Sequence, residues 1–180
     1  MPSHVALLYS VVLGPGRRVV MSDLKAMAEG LGLRSVATLV ATGNLVFDSG
    51  SGSAELESRL ETAFAARFGK PVDIIVRDAA RWRALVAANP FPAEAAADAG
   101  RVVVRVMRHG ADPDAAARLA GLAGQTERVA LVDGDLWVAF GGQPSRSRLL
   151  SALGARRLGV GTARNWNTIR RLGAMLSTGP

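Results

Sequence analysis

The hydrophobic positions of the first 76 residues follow two periods, one typical of strands and one typical of helices. Four apolar or alternating runs predict strands, at Val5–Val12, Arg34–Val40, Leu45–Asp48 and Val72–Val76. Between them, apolar residues three and four apart predict two helices, with stripes at Leu24, Met27, Ala28 and Leu31 and at Leu56, Leu60 and Phe64. We expect Ser22 and Ser53 to cap these helices. The order βαββαβ predicts a ferredoxin-like plait over residues 1–76.

The second half of the chain shows a related order without detectable sequence repetition. Residues 77–100 predict a helix opened by Asp78, followed by an alanine-rich connector after the break at Asn89–Pro92. Residues 101–180 predict a second α+β lobe with a βαββα arrangement, in which Asp133-Gly134 is a strong hairpin signal. Basic helices near Ser147–Leu153 and Arg164–Leu176 end this lobe. The fold class is therefore predicted to be α+β, with two lobes.

Charge is distributed unevenly along the chain. There are 22 lysines and arginines against 15 acids, a net charge of +7. Seven of the arginines and none of the acids lie after Asp135, so the chain up to that residue is neutral overall. We call Leu136–Pro180 the acid-free segment; its arginines are Arg146, Arg148, Arg156, Arg157, Arg164, Arg170 and Arg171. Because the forked guanidinium suits phosphate and carboxylate, we expect an anionic ligand at this segment.

The last predicted helix is the first candidate for this site. On a helix, Ile169, Leu172, Gly173 and Leu176 would fall on the side of Trp166 and form the buried stripe. The opposite face would carry Arg164, Asn167, Thr168 and Arg171, and the helix start, capped by Thr162 or Asn165, would add free N–H groups. Two guanidinium groups, an amide and a hydroxyl on one face could hold a phosphate or carboxylate. The alternative is a solvated outer face.

The second candidate is the turn that carries Arg146, Ser147 and Arg148 after Gly141-Gly142. It leaves a strand and enters a helix, where backbone N–H groups can surround an oxyanion. The alternative is simple helix capping by Ser145 or Ser147. A third arginine-containing loop, Gly14–Arg18, is better interpreted as a plain turn.

Residues that would support other chemistry are sparse. The chain has no cysteine, His4 and His109 are isolated, and no serine lies in a G-x-S-x-G motif. Glu55, Glu57 and Glu61 are interpreted as a solvated helix face. We therefore expect no metal, no cofactor, no membrane-spanning segment and a cytoplasmic location.

The run Thr162–Thr168 resembles the signature of a bacterial family of unknown function, numbered 1697. The resemblance extends over nearly the whole chain and includes Val5–Leu8, Met21–Leu24, Gly43–Phe47, Asn89–Pro92 and Arg146–Leu149. It implies an α+β protein with a ferredoxin-like lobe and supplies no established activity.

The chain also departs from the pattern of this family. Members typically carry R-G-I-N-x-G-G after the first strand, where this sequence has Tyr9–Pro15, so the arginine and asparagine become Tyr9 and Val12. Ala41 replaces a usual glutamine, and Arg148 a usual lysine. If the polar positions form one family site, this member has lost its N-terminal part, which implies altered or absent activity.

Three functions are compatible with these features. The leading hypothesis is a module that binds an anionic ligand, either nucleic acid through nonspecific phosphate contacts or a phosphorylated small molecule. The second is a scaffold whose arginines dock an acidic partner or a second copy of the chain. The third is an enzyme acting on a phosphorylated or nucleotide substrate, for which the sequence offers no clear base or nucleophile.

Overall fold

The structure is a computed structural model that describes residues 1–176. It divides the chain into two compact units. Among the described residues, the first unit consists of Met1–Ala84 together with 172–176, and the second of Leu85–Arg171. The division after Ala84 lies within the 77–100 segment that was assigned to the helix and connector.

The first unit has a four-stranded antiparallel sheet. Its strands are β1 (Ser3–Leu8), β4 (Arg34–Thr38), β5 (Asn44–Asp48) and β6 (Ile74–Asp78), in the spatial order β4-β5-β1-β6. A short ribbon of β2 (Val12–Gly14) and β3 (Arg17–Arg18) follows β1, and the helices are α1 (Met21–Gly30), α2 (Ser53–Phe68) and α3 (Ala79–Ala87). Without the ribbon and α3, this is the βαββαβ order of the predicted plait.

The core of this unit lies between the sheet and helices α1 and α2. The predicted stripe residues Leu24, Leu56, Leu60 and Phe64 are at most 1% exposed, and they pack in one cluster with Phe47 of β5. Burying each such side chain contributes roughly 1.5–3 kcal/mol. The hydrophobic period therefore predicted these two helices correctly.

Several details of the first unit differ from the prediction. The N-cap residues are Val20 and Gly52, without a side-chain cap, so Ser22 and Ser53 lie inside their helices. The first strand ends at Leu8, because the Ser10 Oγ accepts a hydrogen bond from the Val12 N–H at 3.1 Å and begins a turn.

Two of the three glutamates assigned to a solvated face of α2 contact the sheet. Glu57, which is buried, accepts the Val76 N–H through Oε1 at 2.9 Å, and Glu61 accepts the Ile74 N–H at 2.9 Å. Both N–H groups belong to β6, which is an edge strand and lacks a neighbour on that side. Glu55 remains exposed, as expected.

The second unit has a sheet of β7 (Val102–Met107), β8 (Arg128–Val132), β9 (Asp135–Ala139) and β10 (Gly161–Asn165). The spatial order is β10-β7-β9-β8 and all neighbours are antiparallel. Its helices are α4 (Pro92–Ala97), α5 (Pro113–Ala120) and α6 (Arg148–Leu153), with 3-10 turns at Ala99–Arg101, Pro144–Arg146 and Arg156–Leu158. The alanine-rich connector thus includes a short helix. Helix α7 (Trp166–Met175) begins in this unit, and its residues from Leu172 belong to the first unit.

Strand β10 completes a second ferredoxin-like plait. The sequence predicts that Arg164 and Asn165 lie at the start of the last helix, and it predicts the order βαββα for the second lobe. In the structure these residues pair with β7, and the order β8-β9-β7-β10 repeats that of the first sheet. A Cβ on Gly161 would lie 2.7 Å from Met107 Sδ, so the close approach of β10 to β7 requires glycine there. The α+β fold class with two sheet-centred lobes is confirmed.

The structure confirms the hairpin turn and the helix start that were predicted for the second unit. Asp133 and Gly134 have φ of 48° and 85°, the two positive values of a type I′ hairpin turn. Asp112 caps α5 by accepting the Asp114 N–H at 2.8 Å, with Pro113 as the first helical residue. Within residues 1–176 no helix combines the length and apolar character needed to span a membrane.

Candidate anion-binding site

Arg164 is a strand residue, so it does not share a helix face with Asn167, Thr168 and Arg171. Its side chain is partly buried, and Nη1 donates to Thr162 Oγ1 and to the Ala163 carbonyl, both at 2.9 Å. Burial lowers the pKa of Arg164 to about 10, which leaves the guanidinium charged at neutral pH. Its charge is held against the surrounding chain instead of projecting into solvent.

The remaining polar residues of the predicted face lie on the first turns of α7. Asn167 and Arg171 are exposed and Thr168 is half-buried. The predicted buried stripe is present, since Ile169 and Leu172 are fully buried. The predicted group of four side chains is therefore reduced to three on this helix.

The run of residues 162–168 supports the junction between β10 and α7. Asn165, one of the two expected caps, accepts the Thr168 N–H through Oδ1 at 3.0 Å. Thr162 is buried in β10. The rings of Trp166 and Trp137 lie with their centroids 5.9 Å apart. These contacts give the run structural roles.

At the second candidate, Ser147 is the N-cap of α6 and its Oγ accepts the Leu149 N–H at 3.1 Å. This is the capping arrangement that the sequence left open as the alternative. Arg146 and Arg148 flank this serine and are exposed. Neither guanidinium has a hydrogen bond or ion pair within residues 1–176.

A small cleft in the second unit brings together two arginines that the sequence did not connect. The cleft has a volume of about 90 Å³ and is lined by Arg118 and Leu119 of α5, by Arg157 and Leu158, and by Ala115 and Leu122. Both arginines are exposed. In the described part of the chain neither has an acidic partner. The sequence did not single out Arg118, because it precedes the acid-free segment and is joined to Arg157 only by the packing of α5.

Arginines elsewhere in the chain are often paired with acids. Arg59 contacts Glu55 at 3.4 Å, Arg67 contacts Asp23 at 3.5 Å, and Arg128 contacts Glu94. By contrast, five exposed arginines of the acid-free segment have neither an ion pair nor a hydrogen bond among residues 1–176. They are Arg146, Arg148, Arg157, Arg170 and Arg171. The second unit therefore presents uncompensated positive charge.

Metal chemistry finds no support in the described residues. Within residues 1–176, no three side chains of histidine, cysteine, aspartate or glutamate gather closely enough to hold a metal ion. The expectation that the chain works without a metal or cofactor stays a prediction.

The fold places this protein in the class of α+β proteins with two sheet-centred units of the same strand order. Residues 1–137 match the family described as "Protein of unknown function (DUF1697)", and the chain belongs to this family. The matched range ends before the 162–168 run, which also resembles the signature of this family.

A solved structure shares this fold. The conserved bacterial protein SP0830 from Streptococcus pneumoniae is similar to this chain with a TM-score of 0.76 and 24% sequence identity. The similarity covers 97% of this chain and 98% of that chain. A search of the curated proteins finds no match. The comparisons therefore establish the family and the fold.

Proposed function

We propose that this protein binds an anionic ligand through the exposed arginines of its second unit. The observation that carries the proposal is the cleft whose lining includes both Arg118 and Arg157, neither of which has an acidic partner in the described chain. Two like charges at one apolar cleft repel each other, and a bound phosphate or carboxylate would remove that repulsion.

The ligand to test first is single-stranded nucleic acid, bound through its phosphates without base readout. Scattered guanidinium groups on a surface suit a repeating phosphate backbone. Arg146 and Arg148 would provide further contacts beyond the cleft. A phosphorylated small molecule is the second form of the same proposal. A cytoplasmic location also belongs to the proposal, since it is the compartment in which a cysteine-free nucleic-acid-binding protein would meet its ligand.

The test is the fluorescence anisotropy of a labelled single-stranded oligonucleotide at several salt concentrations. We expect wild-type binding to weaken as salt rises. The slope of log K against log salt is negative, and Arg118→Ala/Arg157→Ala should reduce its magnitude by about 1.4. Each phosphate contact to a single strand contributes about 0.7 to that magnitude.

The matched control is Arg17→Ala/Arg18→Ala, which removes the same charge from the exposed ribbon strand β3 of the first unit. We expect this control to keep nearly the wild-type slope. Equal losses in the two double variants would show that net charge alone acts. Absence of binding at low salt would exclude nucleic acid, and the same variants would then be titrated with inorganic phosphate.

A further inference from the structure

The first unit contains a pocket of about 650 Å³ that is separate from the arginine cleft in its residues and its chemistry. Its lining comes from the start of β1, from the loop Gly50–Ser53 that leads into α2, and from the start of α3. The volume lies in the range of small-molecule sites.

Two buried polar residues line this pocket, His4 and Ser3, and the Ser3 Oγ donates to Asp48 Oδ1 at 2.6 Å. His4 is 2% exposed, and its ring stacks on Phe47 with the centroids 5.7 Å apart. Nδ1 lies 3.1 Å from the Pro2 carbonyl oxygen. Because a carbonyl only accepts, Nδ1 carries the hydrogen, and Nε2 of the neutral ring is a hydrogen-bond acceptor. Nε2 has no partner within residues 1–176.

The start of α2 lies at the same pocket, whose lining includes Gly52 and Ser53. The first helical hydrogen bond runs from the Leu56 N–H to the Gly52 carbonyl, so the N–H groups of Ser53, Ala54 and Glu55 precede it. The N-cap Gly52 has no side chain to cap them. A 16-residue helix with an uncapped N-terminus favours an anion there.

Each of the two carboxylates near the pocket, Asp78 and Glu55, accepts a hydrogen bond through one of its oxygens. Asp78, the cross-strand neighbour of His4, accepts the Arg81 N–H through Oδ1 at 2.8 Å. Glu55 accepts from Ser51 Oγ at 2.8 Å and contacts Arg59 at 3.4 Å. Arg83 adds a positive charge to the lining. The pocket thus has donors at the start of α2, while His4 Nε2 and the free oxygen of Asp78 are acceptors.

A ligand that satisfies both sides carries an oxyanion and hydroxyl groups. We propose that this pocket binds a small hydroxylated phosphate monoester of the sugar phosphate class. Its phosphate accepts the N–H group of Ser53, which lines the pocket, and a hydroxyl group donates to His4 Nε2. This inference is independent of the arginine cleft.

The test is isothermal titration calorimetry of the full chain with ribose 5-phosphate and with inorganic phosphate. Gly52→Asp places a carboxylate at the N-cap, where its side chain fills the helix donors and repels phosphate. A Cβ at Gly52 meets no atom within 4 Å, and the backbone there is extended, so this variant should fold. We expect it to weaken the binding of both probes at least about tenfold. Gly52→Asn, the uncharged cap, should weaken binding less.

His4→Phe tests the other side of the pocket, because it keeps the ring on Phe47 and removes the acceptor. We expect ribose 5-phosphate to bind about tenfold more weakly and inorganic phosphate to bind as in the wild type. Arg17→Ala/Arg18→Ala, on the exposed ribbon and outside the lining of the pocket, should bind both probes normally. Wild-type binding of neither probe at millimolar concentration, or equal binding by wild type and Gly52→Asp, would overturn the proposal.

Discussion

Arg105 and Arg148 belong to the same unit, but the guanidinium of Arg105 is buried and that of Arg148 is exposed to solvent. Arg105 is 1% exposed, and its Nη1 and Nη2 donate to the carbonyls of Leu153 and Gly159 at 2.9 and 2.7 Å. These carbonyls end α6 and the 3-10 turn that follows it. The forked guanidinium therefore joins two loops of the chain, while Arg148 is exposed to solvent.

We expect Arg105→Met to lower the free energy of unfolding by about 3 kcal/mol, because the buried carbonyl of Leu153 and the carbonyl of Gly159 both lose their donor. Urea denaturation would measure the change. Arg105→Lys should recover only part of it, since an ammonium group does not reproduce the fork. Arg148→Met is the matched control and should stay within about 0.5 kcal/mol of the wild type. A similar loss in both variants would contradict the structural role of Arg105.

Among the elements, the β10–α7 junction is where the sequence interpretation changed most. The sequence predicts a helix over Arg164–Leu176, capped by Thr162 or Asn165, whose outer face binds an anion. Pairing with β7 draws Arg164 and Asn165 into the sheet, and Asn165 then caps α7. A tryptophan, Trp166, follows the cap and packs beside Trp137.

Asn165→Ala should lower the free energy of unfolding by about 1 kcal/mol through loss of the α7 cap, and Asn165→Asp should keep most of the wild-type stability. The exposed Asn167→Ala serves as the control and should change stability little. Thermal denaturation measures both. Unchanged stability in Asn165→Ala, combined with loss of oligonucleotide binding, would favour a ligand-binding role for the run over a capping role.

At the scale of the whole molecule, the two units combine the same strand order with different surface chemistry. The first unit places a buried histidine and an uncapped helix at one pocket. The second unit has an arginine inside its sheet and several unpaired arginines at its surface. The two units therefore share one strand order while they present different side chains.

The stability of the whole chain should depend on pH through His4. Burial lowers the pKa of His4 below its ordinary value of 6.5, although the Pro2 carbonyl and the charges of Asp78 and Asp48 act in the opposite direction. Near pH 6 the unfolded chain therefore binds more protons at this histidine than the folded chain. The free energy of unfolding should fall as pH decreases from about 7 to about 5.

Urea midpoints measured at several pH values in this range would test the dependence. His4→Phe should remove the contribution of His4 to the pH dependence of the free energy of unfolding. The control His109→Ala, at an exposed residue, should keep the wild-type pH dependence. The same slope in wild type and His4→Phe would show that other groups cause the pH dependence.

The sequence by itself determined the features that depend on neighbours along the chain. The apolar stripes of α1 and α2, the Asp133-Gly134 turn and the Asp112 cap follow from side chains a few residues apart, which determine local backbone geometry. The α+β class and the excess of arginine near the C-terminus could also be read directly.

Only the tertiary structure decided which polar residues are available for binding. Arg105 and Arg164 resemble Arg148 in the sequence, yet the sheet of the second unit covers the first two and leaves the third exposed. Strand β10 carries a weak hydrophobic pattern, and its hydrogen bonds to β7 establish it as a strand. Arg118 and Arg157 are far apart in sequence and share a cleft because α5 packs there. Long-range pairing and packing set these environments, and local residue patterns do not encode them.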